Sequence, residues 1–118
     1  MDDELMVQID VRDQGTEVVI AVAGELDFGS TRGLLAAAEG FATAGRTIVV
    51  DLAEVSFCDS SGLGALVRLF RKAEAAGGEL KLARPQPHLL TVLSISKLDR
   101  MFEISSELPA AKSVPPAP

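Results

Sequence analysis

The chain has no tryptophan, no tyrosine and only five phenylalanines among its 118 residues. Proteins that bind single-stranded nucleic acid stack the bases on aromatic side chains, so the usual platform for such binding is missing. The formal net charge of −6 points the same way, because phosphates repel an acidic surface and are attracted by a basic one. We therefore expect no direct contact with nucleic acid and a protein as the binding partner.

Cysteine and histidine are almost absent as well. Cys58 has no second cysteine for an internal disulfide, and with His88 as the sole histidine the chain lacks the ligands of a Cys/His zinc site. Both facts suit a reducing cytosol. The first eight residues, MDDELMVQ, carry acids where a signal peptide has positive charge, and the longest apolar run, residues 18–23, is far too short to span a bilayer. A cytoplasmic protein without membrane insertion is expected.

The chain does have enough apolar residues, 47% of the total, to build the core of one domain. Their spacing alternates between the period of two that is typical of strands and the period of 3.6 that is typical of helices. Gly45 is expected to end the first helix, and Gly77 the second. The predicted strands lie at 6–11, 17–26, 46–52, 79–83 and 101–104, with AEVSF at 53–57 as a connector, and the predicted helices begin near residues 34, 60 and 87.

This order, β β α β α β α β, indicates an α/β fold with a mixed sheet of four to five strands. The first two strands are expected to form an antiparallel hairpin. The later strands are expected to be parallel, joined by right-handed crossovers whose helices pack against the sheet. The domain is expected to cover residues 1–107. Residues 108–118, which end in PPAP, have little to bury and are expected to form a disordered tail.

The stretch SFCDSSGLGALVRLF, at residues 56–70, places an acid, two serines and two glycines where a helix begins. A serine nucleophile elbow needs the pattern G-x-S-x-G, which fails for both Ser60 and Ser61, and the sole histidine lies in a different segment. No glycine is followed by Lys and then Ser or Thr, so a Walker A phosphate loop is absent. We infer no catalytic residue, no cofactor and no bound metal.

A helix cap explains part of this stretch, because an oxygen of Asp59 or Ser60 can accept a hydrogen bond from a free N–H of the first turn, with Ser61 as the capping neighbour. A cap does not require Gly62 and Gly64, each of which weakens a helix by about 1 kcal/mol relative to alanine. The close approach of another backbone, from a partner or from a kinase active site, would account for both glycines.

A second polar segment follows the second predicted strand. In α/β sheets the functional loops gather beyond the carboxyl ends of the strands, which would make Asp27 and Asp59 neighbours of the two serines. The segment FGSTRG, at residues 28–33, follows Asp27 and contains two glycines without an obvious local purpose. Ser30 and Thr31 are therefore further candidates for contact with a partner.

GELD at 24–27, IVVDLAEVSFCDSSGLGAL at 48–66 and GGELKLA at 77–83 resemble the anti-sigma factor antagonist family, whose fold is the STAS domain. The resemblance covers the chain up to about residue 107. It implies that Ser60 is phosphorylated by a partner that is both an anti-sigma factor and a serine kinase, with Asp27 and Asp59 as flanking acids. It also implies that the unphosphorylated protein captures this partner and frees a sigma factor, and that a PP2C-type phosphatase resets the switch.

The resemblance leaves a second function open, that of a non-switching STAS adaptor subunit in a stress-signalling scaffold or a lipid-transport complex. In the switching protein, a phosphate on Ser60 would stand at a helix N-terminus, so we expect binding to be lost and stability to be kept. We expect a monomer or weak dimer. The predicted partner-binding residues are Asp27, Ser30, Thr31, Asp59, Ser60, Ser61, Gly62 and Gly64.

Overall fold

The alternating pattern at the start of the chain folds into a hairpin. In the computed structural model, which describes residues 7–109, β1 spans Val7–Asp13 and β2 spans Glu17–Leu26. The two strands pair antiparallel. Gly15 turns the chain with a φ of 90°, and its N–H donates to Asp13 Oδ1 at 2.9 Å. Because β2 is apolar on both faces, it takes an interior position in the sheet.

Every later strand is reached through a helix. The sheet has the order β1-β2-β3-β4-β5, in which β2, β3, β4 and β5 run parallel. This confirms the predicted α/β fold and mixed sheet, with five strands. The remaining elements are α1 (Thr31–Ala38), β3 (Thr47–Cys58), α2 (Ser60–Ala75), β4 (Glu79–Ala83), α3 (Pro87–Ile95) and β5 (Glu103–Ser105), with short 3-10 turns at Glu39–Phe41 and Leu98–Arg100.

The three α-helices pack on one face of this sheet. Right-handed crossovers between neighbouring strands that always advance in the same direction bring each helix to the same side. Phe70 of α2 packs edge-on against Phe102, the residue before β5, with ring centroids 5.5 Å apart, and both rings belong to the core. The largest fully buried side chains of this core are Ile20, Leu26, Leu34, Ile48, Leu52, Leu66, Leu69, Leu80, Leu82, Leu89 and Leu93.

The opposite face of the sheet carries a small apolar cluster of Val19, Val49 and Ala83, against which Leu108 packs. Leu108 was expected to begin the disordered tail, but its side chain packs against this cluster on the sheet. Residues 110–118 of the predicted tail lie outside the described residues.

An ion pair lies on the same face. Arg84 donates from Nη2 to Asp51 Oδ2 at 2.6 Å and from Nε to Asp51 Oδ1 at 3.1 Å, and the same Oδ1 also accepts from the N–H of Ala53. The hydrogen bond and the charge of Asp51 raise the pKa of Arg84. Asp51 is 7% exposed, so its carboxylate depends on these donors in place of water.

The expected connector at residues 53–57 is wrong, because β3 continues without a break to Cys58. The exposed side chains of Glu54 and Ser56 gave this segment a polar pattern, yet its backbone still pairs with β2. Two shifts of register interrupt that pairing, the second of them next to Gly24, whose φ is 112°. A bulge there lets both strands run on to the edge of the sheet together.

The first helix is also shorter than predicted. Its α-helical part ends at Ala38, and a 3-10 turn over Glu39–Phe41 carries the chain toward Gly45. Glu39 accepts a hydrogen bond from Arg68 Nε of α2 at 2.6 Å, and the guanidinium of Arg46 lies 5.6 Å from the centre of the Phe41 ring. These contacts hold the tightened turn. No helix within residues 7–109 has the length and apolar character needed to cross a bilayer.

Candidate functional site

The candidate site lies where β2 and β3 end side by side. Leu26 and Cys58 are paired across the two strands, and both are buried. Asp27 follows Leu26 and Asp59 follows Cys58, so the two carboxylates leave the sheet from adjacent strands. The N–H of Asp59 donates to the carbonyl of Leu26 at 3.2 Å, which continues the ladder by one bond. The expected proximity of Asp27 and Asp59 follows from this register.

Asp59 is the N-cap of α2. Its backbone is extended, and its Oδ1 accepts a hydrogen bond from the N–H of Gly62 at 3.0 Å. Its carbonyl accepts from Leu63 N at 3.0 Å, which starts the helical ladder. The cap was expected from Asp59 or Ser60, and it comes from Asp59. Ser61 does not cap the helix, since the aspartate already satisfies the N–H that a capping side chain would reach.

Ser60 is the first residue of α2 and is exposed to solvent, while Ser61 is half-buried. Within residues 7–109, no side chain or backbone group bonds to the hydroxyl of Ser60, and the N–H groups of Ser60 and Ser61 have no acceptor. A helix start of this kind attracts negative charge. The chain therefore presents a free hydroxyl at the positive end of a helix of 16 residues.

The loop after β2 is built on Asp27 and Ser30. Asp27 Oδ1 accepts from the N–H groups of Gly29 at 3.0 Å and Ser30 at 3.1 Å. The hydroxyl of Ser30 lies 2.7 Å from the carbonyl of Glu25, to which it donates, and accepts from Asp27 N at 2.9 Å. Because all of these bonds lie within residues 25–30, the loop is held by its own side chains and backbone.

Ser30 is 4% exposed, so it does not take the place on the partner surface that the sequence suggested. Its hydroxyl forms hydrogen bonds with the backbone of its own loop, so Ser30 stabilises the conformation of the loop from its buried side. Thr31 is half-buried and is therefore more accessible than Ser30. Its hydroxyl lies 3.4 Å from the carbonyl of Phe28, which is a weak hydrogen bond at most.

Gly62 has an internal reason to be glycine. A Cβ at this position would collide with the carbonyl oxygen of Leu26 and would lie 2.8 Å from Cys58 Sγ. The close backbone approach that the sequence predicted therefore comes from the protein's own β2, in addition to anything a partner supplies. Gly64 is different, because a Cβ there would meet nothing within 4 Å and the residue is exposed.

Cys58 lies beneath the helix start and is 9% exposed. Burial, together with the nearby negative charge of Asp59, raises the pKa of its thiol to about 11. The side chain is a small packing residue, as expected. Within the described part of the chain, no group of three or more His, Cys, Asp and Glu side chains could hold a metal ion.

Sequence reasoning missed two residues at this edge, Phe28 and Phe57. Phe28 follows Asp27 and is 82% exposed, and Phe57 precedes Cys58 and is 48% exposed. Both were passed over because a phenylalanine is usually a core residue. Alternation from the buried Val55 would place Phe57 on the core side as well, and the register shift next to Gly24, which a single strand does not reveal, breaks that alternation before the buried Cys58.

The surroundings of the site are acidic. Residues 24–32 and 54–62, which form the two strand ends and the loops after them, contain the carboxylates of Glu25, Asp27, Glu54 and Asp59 and the single guanidinium of Arg32. Four negative charges and one positive charge give this end of the sheet a net charge of −3. We call residues 24–32 and 54–62 the acidic edge.

The fold and the site define a class of protein: an α/β domain that presents a free serine at a helix start, where two neighbouring strands are each followed by an aspartate. Residues 8–111 match the family model described as the STAS domain, and the chain belongs to this family.

The chain is 35% identical over 91 residues to a STAS-domain-containing protein of Pseudomonas aeruginosa, an alignment that covers 77% of this chain and 90% of that relative. It is 30% identical over 101 residues to the anti-sigma-B factor antagonist of Bacillus subtilis, with 86% of this chain and 93% of the relative covered.

Solved structures give the same result. The anti-sigma factor antagonist SpoIIAA in its unphosphorylated form superposes with a TM-score of 0.71 at 27% identity, over 85% of this chain and 90% of that one. The phosphorylated form of the Bacillus cell fate determinant SpoIIAA superposes with a TM-score of 0.66 at 28% identity, over 85% and 93% of the two chains. The Bacillus subtilis relative and the unphosphorylated SpoIIAA structure are thus both named as anti-sigma factor antagonists.

Proposed function

We propose that this protein is an anti-sigma factor antagonist that works as a phosphorylation switch and not as an enzyme. Its unphosphorylated form binds an anti-sigma factor with serine kinase activity in the cytoplasm, which releases a sigma factor and so regulates transcription indirectly. Phosphorylation of Ser60 ends the binding, and a PP2C-type phosphatase restores it. The observation that carries the proposal is the exposed hydroxyl of Ser60, which has no bonding partner in residues 7–109 and stands at the start of α2.

The proposed modification is a phosphoryl transfer within the complex. The γ-phosphorus of ATP forms a bond to Ser60 Oγ, the bond from that phosphorus to the bridging oxygen of ADP breaks, and the hydroxyl proton passes to a base of the kinase. Ser60 suits this role because nothing in the described residues has to be displaced from its hydroxyl. Ser30, by contrast, has its hydroxyl buried and bonded within its own loop.

A phosphate on Ser60 should leave the fold intact. It would add roughly −1.5 to −2 charges next to the free N–H groups of Ser60 and Ser61, where the helix dipole favours an anion by about 0.3 to 1 kcal/mol. The carboxylate of Asp59 opposes this gain through charge repulsion, but it remains the N-cap of α2 and keeps its hydrogen bond from the N–H of Gly62. The net effect on the free energy of unfolding is therefore small.

The effect on binding is expected to be larger. In the complex, Ser60 faces the nucleotide phosphates of the kinase and has Asp27 and Asp59 beside it, so an added phosphate meets negative charge where little water remains. A like charge in a desolvated interface costs several kcal/mol, and each 1.4 kcal/mol is a tenfold loss of affinity. The switch thus acts on the interface and not on the fold.

The proposal is tested with the purified protein, ATP and Mg²⁺, and each ATPase-type anti-sigma factor of the source organism in turn. We expect one of them to add a single phosphoryl group, which peptide mapping places on Ser60. The Ser60→Ala variant should remain unmodified, and the matched control Ser61→Ala should be modified as the wild type is.

Binding is then compared for Ser60→Ala and Ser60→Asp by calorimetry with the same kinase and ADP. We expect the aspartate variant to bind at least about tenfold more weakly, with both variants melting at similar temperatures. Equal affinity of the two variants would show that the switch is absent. A protein that no kinase modifies or binds would favour the alternative of a non-switching STAS adaptor.

A further inference from the structure

The five phenylalanines of this chain divide into two groups. Phe70 and Phe102 pack edge-on in the core, and Phe41 is partly buried against it beneath Arg46. The other two, Phe28 and Phe57, are exposed. Both lie in the acidic edge, one residue from Asp27 and two residues from Asp59 respectively. In a chain without tryptophan or tyrosine, the two exposed phenylalanines thus lie close to the paired ends of β2 and β3.

The fold does not need the Phe28 ring. The loop that carries it is held by the carboxylate of Asp27 and the hydroxyl of Ser30, and neither interaction involves the ring. With 82% of the residue exposed, Phe28 contributes little buried area to stability, and its apolar surface remains in contact with water. An apolar ring on a pre-ordered loop can enter a partner with little loss of conformational entropy.

Phe57 adds to the same surface from the neighbouring strand. It is paired across the strands with Glu25, and its ring is about half exposed. Since neighbouring strands lie roughly 4.8 Å apart and a residue advances the chain by at most about 3.6 Å, the Cα atoms of Phe28 and Phe57 lie within roughly 15 Å. Two exposed phenylalanines at this separation of their Cα atoms can be reached by one protein interface.

The charges around the rings define the partner's chemistry. The acidic edge has a net charge of −3, and Arg32 is its sole cation. Aromatic side chains in the centre of an interface act as anchors, and charges at the rim steer the two proteins together. The complementary surface is an apolar pocket with lysine or arginine side chains around its mouth.

We propose that Phe28 is the aromatic anchor through which this chain docks on its serine-kinase anti-sigma factor, with Phe57 as a second, weaker contact. The ring of Phe28 enters an apolar pocket of the kinase, and the carboxylates of the acidic edge meet basic side chains at the rim. This inference rests on the proposed function. It adds a docking contact that is separate from the phosphorylated serine, so affinity and switching have different determinants.

The test compares Phe28→Ala, Phe57→Ala and a control, Ile95→Ala, for binding to the kinase that modifies the wild type. Ile95 is the last residue of α3, is 76% exposed and lies outside the acidic edge. The Ile95→Ala variant therefore loses an exposed apolar side chain at a different place on the surface. We expect Phe28→Ala to raise the Kd about 30-fold and Phe57→Ala about fivefold, while Ile95→Ala changes it by less than about twofold. The Kd of the wild type should also rise with salt.

Phe28→Leu keeps part of the apolar volume and should lose about fivefold, which separates loss of a pocket contact from misfolding. All variants should melt within about 2 °C of the wild type. A Phe28→Ala protein that binds within twofold of the wild type overturns the anchor, and so does an Ile95→Ala protein that loses as much affinity. If Ser60→Asp binds weakly while Phe28→Ala binds normally, the anchor alone fails. A wild-type protein that binds no kinase of the organism overturns both proposals.

Discussion

Two glycines in the first turns of α2 should respond in opposite directions to the same substitution. Gly62 and Gly64 are both helical, so replacing either with alanine removes a flexible residue and favours the helix by about 1 kcal/mol. The methyl group at residue 64 enters open space, since nothing lies within 4 Å of it. Gly64→Ala is therefore expected to stabilise the protein by about 0.5 to 1 kcal/mol.

At residue 62 the methyl group has no room. It would lie 2.8 Å from Cys58 Sγ and would collide with the carbonyl oxygen of Leu26, which is backbone and cannot rotate away. Overpacking of this kind costs about 1 to 3 kcal/mol. If the helix start moves outward, the bond from Asp59 N to Leu26 O and the cap from Asp59 to Gly62 are stretched, at about 1 kcal/mol each.

Setting the helix gain of about 1 kcal/mol against these costs, Gly62→Ala is expected to destabilise the protein by about 1 kcal/mol and at most by about 2 kcal/mol. Urea denaturation followed by circular dichroism measures both variants, and an unchanged slope shows that the unfolded states are comparable. For a domain of this size the two melting temperatures should move apart by roughly 8 °C or more. If Gly62→Ala proves as stable as Gly64→Ala, the contact between the helix start and β2 does not limit this position.

Two further predictions concern buried groups. Arg84→Ala removes the two guanidinium donors to the carboxylate of Asp51, which is 7% exposed, and leaves only the N–H of Ala53. The variant should lose about 2 kcal/mol of stability, and the double variant with Asp51→Asn should recover part of this loss in a urea double-mutant cycle. The buried thiol of Cys58 has a pKa of about 11, so it should react with a disulfide reagent at pH 8 only after denaturation, and rapid labelling of the folded protein would contradict this expectation. The free energy of unfolding should also fall as the pH rises from about 9 to 11, because the thiol of the unfolded chain ionises at a lower pH than the buried thiol.

The strand and helix order was predictable from the sequence because the apolar periods are strong and the parallel topology leaves few connections. The run at residues 48–50 could only be a buried strand, and Pro87 begins α3 as the sequence indicates. The end of β3 was not predictable in the same way. Its last residues alternate out of step because the ladder with β2 shifts register, and a shift of register between two strands leaves no signal in one of them alone.

The candidate site shows the same limit. The neighbouring positions of Asp27 and Asp59 followed from the rule that parallel strands end at one edge, so their proximity could be expected. The role of Ser30 could not, because a serine in a glycine-containing loop looks the same whether its hydroxyl faces water or its own backbone. Phe28 was missed for the opposite reason: its residue type argues for the core, and only the loop geometry turns it outward.

The division between buried and exposed groups explains how one surface can combine rigidity with a switch. Beneath the surface, the cap of Asp59, the contact of Gly62 with β2 and the hydroxyl of Ser30 fix the backbone from both strand ends. Above it, the Ser60 hydroxyl takes part in none of these bonds. In the proposed switch, a phosphate would therefore change the charge of the surface without a second conformation of the domain. The partner's affinity would fall because of the added charge alone. Substitutions of the buried set should then lower stability and affinity together, whereas Ser60 and Phe28 variants should alter affinity alone.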